Sequence, residues 1–143
     1  MISIDTNLLI YARVRSAPEH SRAAQFLDEM LQRRDVIIAE LVLVELYLAL
    51  RNPAIMQPAL PPAAAVAECQ LFRQHPHWAL IENAEVMPAV WDQASRRGFA
   101  RRRIIDLRLA KTLQAHGVTA FATANVKDFQ GVGIERVWNP LSG

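Results

Sequence analysis

The residues best placed to do chemistry in this chain are acids that stand where folding alone gives them little reason to be. The first is Asp5. Ile2 and Ile4 alternate with polar neighbours, which predicts a short strand, and Asp5-Thr6-Asn7 breaks it with residues that favour turns and helix N-caps. Leu8, Leu9 and Ala12 follow at helical spacing. Asp5 is thus expected at the carboxyl end of a first strand, where a helix begins. Open α/β sheets bind ligands along that edge, and a helix N-terminus stabilises a carboxylate there. Taken alone, Asp5 reads first as a helix cap, and only the acids of later segments shift that reading.

Glu45 is harder to explain as structure. It lies in the apolar stretch 41–50, with Leu41, Leu48 and Ala49 as its helical neighbours at i−4, i+3 and i+4. A carboxylate on such a face is costly to bury unless it is paired, protonated or metal-bound. An ion pair with Arg51 or another arginine is the structural alternative. Asp106 repeats the pattern: Leu109, Ala110 and Leu113 follow it on the inward face of a predicted helix. It falls near that helix's first turn, where complementing the dipole is an ordinary role for aspartate. A fourth segment, 121–129, runs from apolar residues into Thr123, Asn125 and Asp128, again placing oxygen ligands at the carboxyl end of an expected strand, or simply forming a turn.

Three or four carboxylates converging without His or Cys partners favour Mg²⁺ or Mn²⁺ over zinc. Like charges so arranged repel unless a cation sits among them. Such cations lower the pKa of a water and stabilise the attacking and leaving oxygens, chemistry suited to phosphodiester hydrolysis. Other chemistries fit less well. No Gly-rich phosphate loop is present, and Asn7 stands where an aspartyl-phosphate phosphatase would place a second Asp. His20, His75, His77 and His116 lack zinc-ligand spacing and read as surface residues, and Cys69 is the only cysteine.

These residues need a scaffold, and the chain supplies short strands alternating with helices. After the first strand and helix, a second helix is expected from Ser16-Ala17-Pro18-Glu19 to Arg33-Arg34, with Ala23, Phe26, Leu27, Met30 and Leu31 on its inner face. Val36-Ile37-Ile38 predicts a buried strand, and a helix follows from Glu40 to Arg51, closed by Asn52-Pro53. A proline-rich loop leads to a helix over 63–74 and a short strand over 78–81. Helices over 86–97, with Val90, Trp91 and Ala94 on one face, and over 104–116 end at Gly98 and Gly117. Strands are expected at 120–122 and 134–138. The alternation predicts an α/β fold, one domain over residues 1–143 with a mainly parallel central sheet flanked by helices.

With 52% apolar and 21% charged residues the chain is able to build a core, which excludes a disordered chain. A formal charge of +2 permits a polyanionic partner without arguing for one. The lone cysteine suits a reducing compartment, Met1 leads directly into the first strand, and the apolar run 41–50 is too short to cross a bilayer. A cytoplasmic protein without membrane association is expected.

The motifs together resemble those of the PIN-domain family, and most closely its VapC-type ribonuclease toxins of type II toxin–antitoxin pairs. The matching pieces are Ile4-Asp5-Thr6-Asn7 with Leu-Leu-Ile-Tyr-Ala after it, Val44-Glu45-Leu46 running into Leu50-Arg51-Asn52-Pro53, Asp106-Leu107-Arg108-Leu109-Ala110, and Ala122-Thr123-Ala124-Asn125-Val126-Lys127-Asp128-Phe129. The resemblance implies Asp5, Glu45 and Asp106 as ligands for Mg²⁺ or Mn²⁺ and a fourth acidic position in the last motif. There this chain departs from the pattern, with Asn125 at one candidate place and Asp128 three residues on. Thr6, Asn7, Thr123 and Asn125 would orient carboxylates or bound water.

It also implies RNA as substrate, a cognate antitoxin as partner, and a homodimer. Arg101, Arg102 and Arg103 precede the Asp106 helix, with Arg108 and Lys127 nearby, and would meet RNA phosphates if Asp106 lines the pocket. A solvated basic face is the plainer reading of that run. Two further alternatives stay open: a degenerate domain that binds RNA or a protein without cutting, and a housekeeping nuclease of RNA processing.

Overall fold

The computed structural model describes residues 1–82 and 85–142. In chain order they form β1 (Ile2–Ile4), α1 (Thr6–Arg13), α2 (His20–Leu31), β2 (Ile37–Ala39), α3 (Glu40–Leu50), α4 (Pro62–Arg73), β3 (Ala79–Ile81), α5 (Met87–Ala94), α6 (Arg103–Ala115), β4 (Ala120–Ala122) and β5 (Arg136–Trp138), with a 3-10 turn at Val126–Phe129 between the last two strands. The strands pair in parallel as β1-β4-β5 and as β2-β3. A parallel bridge between Ile2 and Val36 and the Ile2 amide donating to the Asp35 carbonyl at 2.9 Å bring the two ladders edge to edge. Ser3, fully buried between them, donates its hydroxyl to the Ile37 carbonyl at 2.6 Å, so a polar side chain supplies part of the missing ladder. The resulting order is β3-β2-β1-β4-β5.

That order places a switch in the middle. The chain moves outward from β1 to β3 on one side, then returns to set β4 against the other edge of β1. Connections leaving β1 and β4 therefore diverge, and a crevice opens above their carboxyl ends. The register pairs Ile4 with Ala122 and Ala122 with Trp138, so these residues share one sheet face. Phe26 of α2 packs on that face, edge-on to Trp138 at 6.4 Å. Phe121 points to the other face, where it meets Phe129 at 4.8 Å. One large core joins β1, β2, β4, α1, α2 and α3 with the inner side of α6. A separate small cluster of Val86, Val90 and Leu107 ties α5 to α6.

Several expectations shift. The second helix starts at His20, because residues 15–19 form successive turns and the first helical bond is Ala23 N–H to the Glu19 carbonyl. Pro18 therefore lies before the helix. The fifth helix stops at Ala94, short of Arg97, and Trp91 is 59% exposed, off the face that carries Val90. In α3, Val44 and Leu48 are 50% and 62% exposed, so the side carrying Glu45 lines an open cleft instead of the core. The four histidines are half-buried; His20 and His116 contact backbone carbonyls through Nδ1. Gly117 ends α6 at φ +79°, as its position after the helix predicts. No described helix is long and apolar enough to cross a membrane.

Candidate active site

Asp5 follows β1 directly, and its amide donates to the Ala122 carbonyl at 2.9 Å, continuing the ladder with β4. Extended backbone at Asp5 turns the chain into α1, and its Oδ1 accepts from the Thr6 amide at 2.8 Å. Its Oδ2 accepts from the Thr123 hydroxyl at 2.7 Å and from the Asn7 amide nitrogen at 3.4 Å. Thr123 is itself fully buried at the end of β4, where its Oγ1 also receives the Asn125 amide at 3.0 Å. Asn7 accepts the Ala124 amide at 3.2 Å, tying α1 to the loop after β4. The switch between β1 and β4 is thus stitched shut beneath Asp5, which is only 7% exposed.

Glu45 reaches the same crevice from α3. The Thr6 hydroxyl lies 3.1 Å from Glu45 Oε2 and 3.1 Å from the Val42 carbonyl, so it holds the carboxylate against the start of α1. Among the described residues Glu45 has no ion pair; Arg51, its expected partner, donates to the Tyr47 hydroxyl instead. Asp106, in the first turn of α6, closes the opposite wall. Asp5, Glu45, Asp106 and Asn125 line one cleft of about 390 Å³ with Thr6 and Asn7. Asp128 lines an adjoining cleft of about 340 Å³ together with Arg102, Arg103 and Lys127, and Asp106 belongs to both. Asn125 and Asp128 are both exposed, at opposite ends of the first turn of the 3-10 segment.

The remaining basic candidates lie elsewhere. Arg101 is exposed and lines neither cleft, and Arg108 follows Asp106 by two residues on α6, about 200° around the helix. The Arg108 Nε is buried. Sequence reasoning passed over the far wall of the acidic cleft, formed by Ile10, Leu48, Ala49, Asn52, Ile55 and Phe129. In the sequence Asn52 reads as a helix end and as part of the second matching motif, with no site role; the same turn, in which its Oδ1 accepts from the Ala54 amide at 2.9 Å, brings it to the cleft.

The acids perturb one another. Burial raises the Asp5 pKa most, against the hydrogen bonds from Thr123 and Thr6 that lower it, and Glu45 and Asp128 raise it further. Glu45 is raised by burial and by Asp106, with Thr6 opposing. Asp106 is pushed up to about 6 by burial, Asp128 and Asp5, against Arg103. Repulsion of this kind is what a divalent cation relieves. The donors are all oxygens, the set that suits Mg²⁺ or Mn²⁺. Among the described residues no three acids, histidines or cysteines stand close enough to enclose an ion by themselves. The oxygen donors fit a hard cation that would be held by the cleft acids together with water.

Comparison with known proteins identifies the family and the fold. A family model for the PIN domain matches residues 2–134. Ribonuclease VapC24 of Mycobacterium tuberculosis, in two strains, is 51% identical over 142 residues, covering 99% of this chain and 98% of the relative. Among solved structures, Mycobacterium tuberculosis VapC20, a sarcin-ricin loop cleaving toxin, aligns with a TM-score of 0.67 at 16% identity over 94% of this chain and 96% of that one. FitAcB from Neisseria gonorrhoeae gives 0.66 at 22% identity over the whole of both chains. FitAB bound to a DNA fragment gives 0.63 at 21% identity over 99% and 96%. These structures share the fold, and the match to the family model over residues 2–134 shows that the chain belongs to the PIN domain family.

Proposed function

We propose that this protein is a metal-dependent endoribonuclease, the toxin of a toxin–antitoxin pair, which hydrolyses RNA phosphodiester bonds in the cleft above β1 and β4. The observation that carries the site assignment is the convergence of Asp5, Glu45 and Asp106 from three separate elements on one cleft, with Asp5 anchored through Thr123. The 51% identity with a ribonuclease of the VapC group over nearly the whole chain supports the reaction. Asp5, Glu45 and Asp106 would hold Mg²⁺ or Mn²⁺, whose contribution is Lewis-acid activation of water and stabilisation of charge on the reacting phosphate.

The chain's own groups set the rest. Thr6 and Thr123 fix the orientation of Glu45 and Asp5, so the carboxylates need not reorganise when substrate arrives. Asp128 is the fourth acid in this reading, because it raises the pKa of both Asp5 and Asp106, whereas Asn125 brings a neutral amide to the cleft. Arg102, Arg103 and Lys127 hold RNA phosphates beside it. The exposed Val44, Leu48 and Ile55 near the cleft offer apolar surface to an antitoxin, and Val66 and Leu71 of α4 offer it to a second copy of the chain.

Incubating total cellular RNA with the protein in Mg²⁺, Mn²⁺ or EDTA, beside Asp5→Asn, tests the reading. Discrete fragments that require metal and vanish in the variant are expected. Equal cleavage by Asp5→Asn would place the site elsewhere, and no cleavage by folded protein under any metal would favour the binding-only alternative, with Asn125→Asp as the variant that should restore activity.

A further inference from the structure

The acidic cleft is bordered on a second side by a cleft that the carboxylate site does not use. Arg13, Arg15, Ser16, Ile55 and Gln57 line this cleft of about 410 Å³, and Ile55 belongs to its wall and to that of the acidic cleft. Asp106 is shared in the same way on the other flank. The three hollows, each sharing one wall residue with the next, outline a groove from Arg102, Arg103 and Lys127, past the carboxylates, to Arg15. Its charge runs positive, negative, positive.

The two arginines at the far end are not equivalent. Arg13 is tied to Glu68 through Nε at 2.9 and 3.0 Å, so its charge is already balanced. Arg15 is exposed, just past the end of α1, and has no carboxylate partner among the described residues. Ile55 is held firmly between the hollows: its amide donates to the Asn52 carbonyl at 3.0 Å, and the neighbouring Met56 is buried.

We propose that a single strand of RNA crosses the catalytic cleft along this groove, and that Arg15, with Ser16 and Gln57 beside it, forms a phosphate subsite beyond the scissile bond. The assignment rests on the ribonuclease reading and extends it. A strand gains from cations on both sides of the bond it presents, and the flanking hollows provide them. A larger cleft between α2 and β5, about 580 Å³, does not. There Arg22 donates to the Leu141 carbonyl at 2.6 Å, Arg33 is paired with Asp35 at 2.6 Å, and Arg136 lies over the Trp138 ring at 4.1 Å. That cleft also shares no wall with the catalytic one.

The test is binding of single-stranded RNA oligonucleotides of increasing length to the Asp5→Asn protein in Mg²⁺, measured by fluorescence anisotropy over a range of salt. Arg15→Ala in that background should weaken binding, increasingly with length, and lower the slope of log affinity against log salt by about 0.7, the value of one single-strand phosphate contact. Arg15→Lys should restore the slope, and Arg34→Ala, near the opposite end of the sheet, should leave it alone. In the otherwise wild-type enzyme Arg15→Ala should raise KM on long RNA more than it lowers kcat. Tight RNA binding with an unchanged slope in Arg15→Ala would overturn the subsite and leave the ribonuclease reading standing. Absence of RNA binding by any form would overturn both. An acidic peptide of matched charge that binds more tightly than RNA, and alone loses affinity in Arg15→Ala, would reassign the subsite to a protein partner.

Discussion

Asp5 shows how one residue carries structural and chemical demands at once. It caps α1 through the Thr6 amide, yet it is buried and repelled by Glu45 and Asp128, so it is held at a cost that a simple cap would not incur. Thr123 offsets part of that cost. Thr123→Val keeps the shape and removes the hydroxyl, and it should destabilise the metal-free protein by about 1–3 kcal/mol, read from urea denaturation. The same variant should weaken Mg²⁺ binding by about 10–100-fold in calorimetry, since the carboxylate loses the group that orients it. A variant with wild-type metal affinity would show that Thr123 only fills space. Asp5→Asn, Glu45→Gln and Asp106→Asn should each cut metal-dependent cleavage by orders of magnitude while the fold persists, its Tm unchanged or raised by relief of repulsion. Asp128→Ala and Asn125→Ala, compared by the same cleavage assay, should differ, with the larger loss in Asp128→Ala.

Asp106 makes the repulsion visible in pH. Its folded pKa of about 6 lies above its ordinary value of 3.8, so between these values the folded protein binds more protons than the unfolded chain. Stability from this group is fully present below about pH 4 and is lost as pH rises through 6. Asp5 and Glu45, also raised, act in the same direction. The Tm of metal-free protein should therefore decline from mildly acidic to neutral pH relative to Asp106→Asn, whose profile should be flatter. Parallel profiles would mean that Asp106 is solvated like a surface acid.

Among the elements, α5 and the start of α6 are set apart from the rest. Val90 and Leu107 are buried, but their cluster is small and separate from the main core, and α5 presents Trp91 to solvent. Leu107→Ala removes one of its few anchors and should cost about 2–5 kcal/mol. Because Asp106 and Arg103 sit beside Leu107 on the same turn, RNA affinity should fall with stability in that variant, whereas Ala23→Gly on α2 should lower stability alone. This difference in packing also explains what could be read from the sequence. The strand Ile2–Ile4, the inner face of α2 and the Gly117 stop fall where expected; in α2 the periodicity matches burial at Ala23, Phe26 and Met30, whereas in β1 the polar Ser3 is buried as fully as Ile4. Glu45 was legible as an oddity, but not its open setting. A helix as uniformly apolar as α3 gives no contrast to separate core from cleft, so the sequence does not single out Val44 and Leu48 as its exposed residues. The third hollow was invisible for a different reason: Arg15 and Ile55 are separated in sequence and meet only through the fold of two irregular loops.

At the scale of the molecule, the site has one firm wall and one loosely supported wall. Asp5 and Glu45 stand on β1 and α3, within the main core, and their hydrogen bonds bind β1, β4, α1 and α3 together. Asp106 enters from α6, whose inner residues Leu109, Ala110 and Leu113 join that core while its first turn leans on the small cluster with α5. A cation bound between these walls would join them by replacing repulsion among the acids with attraction to a shared charge. At a hundredfold excess over Kd such binding adds about 2.7 kcal/mol to global stability, and EDTA should remove it. The local effect should be uneven. Hydrogen exchange followed with and without Mg²⁺ should show strong added protection at 101–107 and through α5, where opening without metal costs little, and a smaller change in β1 and β4, which exchange only when the core opens. Asp106→Asn should erase the protection at 101–107 even where residual metal still binds Asp5 and Glu45. Protection added equally everywhere would mean that the walls are already one unit without metal, and that the cation stabilises a site the fold has fully formed.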